Sequence, residues 1–351
     1  MKKINIEILN KPTRYDILIG ENLIHNLKTI IPHQLEYSKY IVIFDSNISS
    51  NAIDEIKILF NDAVYIPVNL TSNNKKSFRE FLHIHEQLIN QNIDKNSLIL
   101  SLGGGSIGDL IAFVASTYNR GIDYINIPTT LLSMIDSSIG GKTGLDLKDG
   151  KNLIGTFYHP KAVIIDTNFL STLSKEEITS GLFEAIKYGI ACDFDLFLFI
   201  KENKNNLYDI NILMKIIEWC CEIKTNIITK DEKDNNIRNK LNFGHTIGHA
   251  IESIYSIRHG EAVAYGMIGA AYLSKAKDTL DNSDLDEIVS LINHLDLPNI
   301  HFDTEKILDQ LSKDKKRING KNNFILLNSI GNSYISDNIE VDLIKNTVSN
   351  L

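Results

Sequence analysis

Short apolar runs bounded by polar or turn-forming residues dominate the first part of the chain: Ile4–Leu9, Asp16–Ile19, Tyr40–Phe44, Val64–Val68, Ser97–Leu102 and Tyr124–Ile127. Each has the length of a strand. Helix-length segments at Ser77–Asn90 and after Gly105 lie between them, which predicts a mainly parallel sheet covered on both faces. From about Leu173 the period changes. Residues 174–191, 193–202, 207–230, 245–256, 260–277, 283–294 and 303–313 repeat their apolar positions as helices do, and strand signals nearly vanish until Phe324–Leu327. The pattern predicts an α/β N-terminal domain, residues 1–170, and a mostly α-helical C-terminal domain, residues 171–351, with the boundary near 165–175. Asn235-Asn236 and Gly320-Lys-Asn-Asn323 mark turns, and no internal repeat or low-complexity segment interrupts the order.

Composition adds limits. A length of 351 residues allows two domains that each bury a core. The formal net charge of −8 argues against general binding to nucleic acid or to an anionic membrane, so an anionic substrate must be held by locally placed cations. Three cysteines, Cys192, Cys220 and Cys221, make no disulfide framework and fit a reducing, cytoplasmic location. After Met-Lys-Lys the chain alternates as a strand rather than forming the apolar core of a signal peptide, and uncharged stretches such as Ala262 to Ser274 are too short to span a bilayer.

Three constellations carry chemistry. Ser97–Leu102 runs into Gly103-Gly-Gly-Ser-Ile-Gly108-Asp109, a G-x-G-x-x-G between a predicted strand and a predicted helix. In that context glycines let backbone amides approach a pyrophosphate, although a glycine turn joining strand to helix accounts for the motif about as well. An earlier strand ends at Asp45, a carboxylate able to hold a ribose hydroxyl, so the expectation is a Rossmann-like dinucleotide site with atypical strand ordering. Next, Pro128–Gly144 is too polar and glycine-rich for a core helix, and Asp136 occupies the first glycine of the phosphate-loop template. Lys142, Lys151 and Lys187 each read singly as solvated lysines; beside glycine turns in an acidic protein they suggest a convergent anion site. Glu184 and Lys187 share a helical face, either as a surface ion pair or as a metal ligand beside a substrate cation. Finally, His245 and His249 lie one helical turn apart with His259 ten residues on, a spacing that lets imidazoles converge on one ion. The plain alternative is polar residues on a half-buried helix. No Glu follows His245, which disfavours zinc-peptidase chemistry.

Together these segments resemble the 3-dehydroquinate synthase family of the sugar-phosphate cyclases. The likeness runs from Asp45 through Gly103–Asp109, Pro128–Gly144, Lys151–Phe157, Glu184–Gly189, Lys224, Arg238–Glu252 and His259–Met267 to Asp314-Lys-Lys316. It implies NAD in the N-terminal domain and a divalent ion, zinc or cobalt, held by Glu184, His245 and His259. His249 then becomes a catalytic residue rather than a ligand, alongside Lys142, Lys187 and Asn152. The implied substrate contacts are Asp136, Lys151, Lys224, Arg238, Asn242 and one of Lys315 and Lys316, taken as Lys316, with Arg120 entering from the partner of a homodimer. NAD contacts fall on Asp45, Asn47, Asn73, Lys76, Gly104, Gly105, Ser106, Asp109, Thr129, Thr130, Asp136, Lys142, Lys151, Phe169 and Thr172. At Asn73 the family commonly has Glu; Asn can still bond a ribose hydroxyl there but loses the charge-assisted part.

The implied reaction converts 3-deoxy-D-arabino-heptulosonate 7-phosphate to 3-dehydroquinate and phosphate in the shikimate pathway of aromatic amino acid and chorismate biosynthesis. It proceeds by transient oxidation with NAD, phosphate elimination, re-reduction and aldol closure. Three other readings compete: a sibling cyclase acting on glucose 6-phosphate or sedoheptulose 7-phosphate, a metal-dependent alcohol dehydrogenase, and a non-catalytic NAD-binding homologue.

Overall fold

The computed structural model describes residues 13–31, 37–70, 76–147, 150–313, 323–337 and 339–351. The predicted strand Ile4–Leu9, and with it Asn73, Lys315 and Lys316, lies outside the described residues. In chain order the first half contains β1 (Asp16–Gly20), α1 (Leu27–Ile30), β2 (Tyr40–Asp45), α2 (Ser50–Leu59), β3 (Val64–Val68), α3 (Phe78–Asn90), β4 (Leu98–Gly103), α4 (Gly105–Thr117), β5 (Asp123–Pro128), β6 (Leu145–Leu147), β7 (Gly150–Ile154) and β8 (Ala162–Asp166).

Six of these strands form one parallel sheet in the order β1-β8-β5-β4-β2-β3, while β6 and β7 pair as a separate antiparallel hairpin. Every residue of β4 and β8 is buried, as expected of central strands covered on both faces. One face packs against α3 and α4 through Phe81, Ile84, Leu88, Leu110 and Ile111. The other belongs to a larger core that continues into the helical half through Leu182, Ile186 and Phe197.

After β8 a 3-10 turn, Thr167–Thr172, leads to α5 (Lys175–Cys192), α6 (Phe194–Glu202), α7 (Ile210–Ile228), α8 (His245–Ile254), α9 (His259–Ala276), α10 (Asn282–Asn293), α11 (Thr304–Lys313), the antiparallel hairpin β9 (Phe324–Ser329) and β10 (Asn332–Ser336), and α12 (Val341–Val348). A reciprocal capping box starts α5. Ser174 Oγ accepts from the Glu177 amide at 3.3 Å and Glu177 Oε2 accepts from the Ser174 amide at 3.2 Å, an arrangement worth about 1 kcal/mol. Helix α9 is buried almost all round and rich in Gly and Ala, which makes it the central post of this half.

Several elements escape the periodicity. The β8 run is only five residues long, and the short polar-flanked strands β6, β7 and β10 alternate too briefly to stand out from loops. Helices α2 and α12 are amphipathic single-face helices at the rim, with Ile53 and Ile56, and Ile344 and Val348, turned inward.

Candidate active site

The chain leaves β2 toward β3 on one side of the sheet and leaves β4 toward β5 on the other, so the carboxyl ends of β2 and β4 flank a topological switch point. A cavity of about 370 Å³ opens there, lined by Asp45, Lys76, Gly104, Ser106, Thr130 and Lys151 among others. The first amides of α4 face it, because Gly104 caps that helix in an extended conformation. Asp45 Oδ1 accepts from both the backbone and side-chain nitrogens of Asn47 at 2.9 Å, which fixes the carboxylate at the strand end. Lys76 is buried and donates to Asp109 Oδ2 and Asn152 Oδ1, each at 2.5 Å. Burial raises the Asp109 carboxyl above its ordinary range, against the pull of Lys76. Thr130 shares a 2.9 Å contact with Ser133. Thr129 and Phe169 are buried, and Thr172 donates to the Phe169 carbonyl at 2.7 Å; none of these three lines the cavity.

The second cluster is built where α5, α8 and α9 cross. A Cβ on Gly260 would collide with the Ser180 backbone of α5, and one on Gly266 with the Gly244 carbonyl that precedes α8. Glycine at these contacts lets the three helices touch. Their closeness brings Glu184, His245, His249 and His259 together. Ligand atoms of the three histidines lie within 4.8 Å of one another. Glu184 is fully buried, with Oε1 3.5 Å from His245 Nε2 and 3.3 Å from His259 Nε2, and Oε2 2.5 Å from Lys187 Nζ. Among the described residues neither carboxylate oxygen has a well-angled hydrogen-bond partner, so these contacts are ion pairs by distance alone. A buried carboxylate left orphaned among imidazole nitrogens fits a divalent ion of the zinc or cobalt type.

The surroundings set the charges. Burial, reinforced by Lys187, drives the His245 imidazole well below its ordinary pKa, and its Nδ1 meets the Phe243 carbonyl at 3.2 Å. Burial opposes charge on His259 as well, but the Glu184 and Glu252 carboxylates outweigh it and push that imidazole up to about 9. Glu184 is held below the ordinary carboxylate range against its own burial, chiefly by Lys187.

Polar groups continue away from this cluster. Asp136 sits on a single π-helical turn, Ser133–Ser137, an irregularity often found at functional sites. Its Oδ1 accepts from Tyr188 Oη at 2.7 Å and from Lys224 Nζ at 2.5 Å, and Lys224 and Lys187 hold the carboxyl well below its ordinary range despite burial. Arg238 is buried and donates to the Glu232 carbonyl at 2.5 Å and to the Gly140 carbonyl at 3.2 Å. Exposed Lys142 pairs with Asp234, and Asn242 is half-buried at the end of the 3-10 turn before α8. Asn152 and Arg120 both occupy left-handed backbone, with φ of 55° and 62°. Arg120 is exposed and follows Asn119 at φ 49°.

Three groups at the site went unremarked in the sequence: Tyr188 on Asp136, Asp234 on Lys142, and Glu252, which meets both His259 and Lys151. Tyr188 and Glu252 do fall inside matched blocks. No local spacing marks any of the three.

The family model described as 3-dehydroquinate synthase N-terminal matches residues 67–180, and that described as 3-dehydroquinate synthase C-terminal matches residues 181–317. The 3-dehydroquinate synthase of Clostridium beijerinckii is 40% identical over 330 residues, covering 92% of this chain and 94% of that protein. That of Dictyoglomus thermophilum is 41% identical over 355 residues, covering 98% and 97%. Among solved structures, a 2-deoxy-scyllo-inosose synthase complexed with carbaglucose-6-phosphate, NAD+ and Co2+ superposes with a TM-score of 0.87 at 26% identity, over 95% of this chain and 96% of that one. A 2-epi-5-epi-valiolone synthase from Streptomyces hygroscopicus with NAD+ and Zn2+ bound gives a TM-score of 0.89 at 22% identity, covering 99% and 98%, and shares the fold.

Proposed function

The chain belongs to the 3-dehydroquinate synthase family, and from that premise we propose that it converts 3-deoxy-D-arabino-heptulosonate 7-phosphate to 3-dehydroquinate and inorganic phosphate in the shikimate pathway. The observation that carries this reading is the placement of Lys151, which lines the cavity at the carboxyl ends of β2 and β4 and reaches Glu252 beside the histidine cluster. One substrate can therefore face a dinucleotide and an ion together. When bound, NAD would supply a reversible hydride acceptor and zinc or cobalt a Lewis acid for the substrate hydroxyl.

Glu184, His245 and His259 would hold the ion. Asp45, Asn47, Lys76 and the α4 amides after Gly104 would hold the dinucleotide, with Asn73 as a weaker ribose partner than Glu. His249, on the same helix as His245 and one turn away, is free of the ion in this assignment and moves protons to and from the substrate. Lys151, Asn152, Lys187, Arg238 and Asn242 supply donors for the phosphate and nearby sugar oxygens. Four lysines of the site already face a carboxylate: Lys187 meets Glu184, Lys151 meets Glu252, Lys142 meets Asp234 and Lys224 meets Asp136. An ammonium has three donors, so each can keep its partner and still donate to an anionic oxygen. The carboxylates hold the cations in place before substrate arrives, which reduces the reorganisation needed in the transition state.

Residues 1–170 form the NAD-binding domain in this reading and 171–351 the ion- and substrate-binding domain. The active unit is a homodimer in which each Arg120 reaches the neighbouring site, a role suited to an exposed arginine that has no ion pair or hydrogen bond within its own chain among the described residues. All three cysteines are free thiols, in keeping with a cytoplasmic setting, and no described helix is long and apolar enough to cross a membrane. Incubation with the heptulosonate phosphate, catalytic NAD and zinc should give 3-dehydroquinate and phosphate in equal amounts with no net NADH. Stoichiometric NADH, or an inosose product, would assign the site to a dehydrogenase or to a sibling cyclase instead.

A further inference from the structure

We propose that Glu252 is a positioning residue that links the ion-binding imidazole of His259 to the lysine over the nucleotide cavity. The proposal rests on reading His259 as an ion ligand. Glu252 lies near the end of α8, largely covered, with its two oxygens engaged in different directions. Oε2 lies 3.2 Å from His259 Nδ1, and Oε1 accepts from Lys151 Nζ at 2.8 Å.

A carboxylate on Nδ1 fixes both the tautomer and the tilt of the ring. That leaves Nε2, 3.3 Å from Glu184 Oε1, as the coordinating atom, and makes it a more basic ligand. The other oxygen acts on a different site. Lys151 comes from the β7 hairpin strand and is half-exposed, and among the described residues it is Glu252 that holds its ammonium above the cavity. One side chain of α8 thereby sets a ligand of the ion and a cation of the nucleotide cavity at once. Glu252→Gln preserves shape and removes the charge needed for both contacts, whereas Glu252→Asp keeps the charge and shortens its reach.

Zinc affinity is measured by chelator competition, without NAD or substrate, on the wild-type chain, Glu252→Gln, Glu252→Asp and His259→Ala. The melting temperatures of the ion-free proteins monitor folding. Glu252→Gln should weaken zinc binding about tenfold to a hundredfold at an unchanged ion-free melting temperature, with Glu252→Asp between it and wild type. Wild-type affinity in Glu252→Gln, with zinc lost in His259→Ala, overturns the proposal alone. Zinc retained in His259→Ala overturns the ligand assignment beneath it. For the second contact, the NAD dissociation constant of the zinc-free proteins is compared in a double-mutant cycle. Glu252→Gln should shift it about threefold or more with Lys151 present and not with Lys151→Met. An equal effect in both backgrounds, or none, removes the link to the cavity.

Discussion

In the sheet half, the cavity is made largely by the backbone: two strand ends diverge, a glycine stretch leaves the amides of α4 uncovered, and Asp45 and Lys76 stand at its edges. In the helical half side chains make the site: Glu184, His245, His249 and His259 project toward one point from three helices. The two constructions answer different needs. A dinucleotide is long and presents phosphates that backbone amides recognise without side chains, while an ion needs a few atoms fixed in three dimensions. The first tolerates small shifts. The second depends on helix spacing, hence on the glycines at the α5, α8 and α9 contacts.

The sharpest break in this comparison is expected from the proposed ion ligands. Glu184→Ala and His245→Ala should each lose bound zinc and about a thousandfold or more in activity, since several kcal/mol of charge stabilisation go with the ion. His249→Ala should keep zinc, as judged by metal analysis, and lose about a hundredfold or more in turnover. A zinc-free His249→Ala protein would instead make the three histidines the ligand set.

Next in size is a test of whether one chain completes its own site. Arg120→Ala and Lys187→Ala should each be nearly inactive. Mixing them under subunit exchange should restore about a quarter of wild-type activity, because half of the dimers would carry one intact site of two. No recovery despite verified exchange would confine the site to one chain.

The glycine contrast gives smaller effects. Gly260→Ala should cost about 1–3 kcal/mol in denaturant unfolding and weaken zinc binding, because its Cβ meets the Ser180 backbone, which has no room to yield. Gly104 has φ −72°, and a Cβ there would lie 3.2 Å from Thr130 Cγ2. Gly104→Ala should therefore change stability by less than about 1 kcal/mol and weaken NAD binding alone. Loss of zinc affinity in Gly104→Ala would show that the two constructions are not separable.

Legibility in the sequence follows the same division. The strands, the glycine turn and Asp45 are local patterns, and periodicity places β2 to β5 within a residue or two. His245, His249 and His259 announce themselves by spacing. Glu184 does not: its i, i+3 relation to Lys187 describes a surface ion pair equally well, and its burial depends on the crossing of α5 with α9. The resemblance singled it out where spacing left it open. Strand β8 leaves no signal because five apolar residues carry no period, although it supplies the bond between β1 and β5. Tyr188 and Glu252 carry no local signal because Asp136 and Lys151, which they meet, lie far away in sequence.

The backbone around Arg120 has a consequence for adaptation. Asn119 and Arg120 take left-handed angles just before Gly121 at φ 111°, and a side chain with a Cβ in that region costs roughly 1–2 kcal/mol against glycine. Arg120→Gly should melt higher than the wild-type chain while giving up the guanidinium that the neighbouring site is proposed to use, as thermal scans beside activity assays would reveal. At this corner, heat tolerance and the proposed use of the guanidinium would select for opposite residues, and a lineage driven toward hotter growth would have to find its added stability elsewhere in the fold.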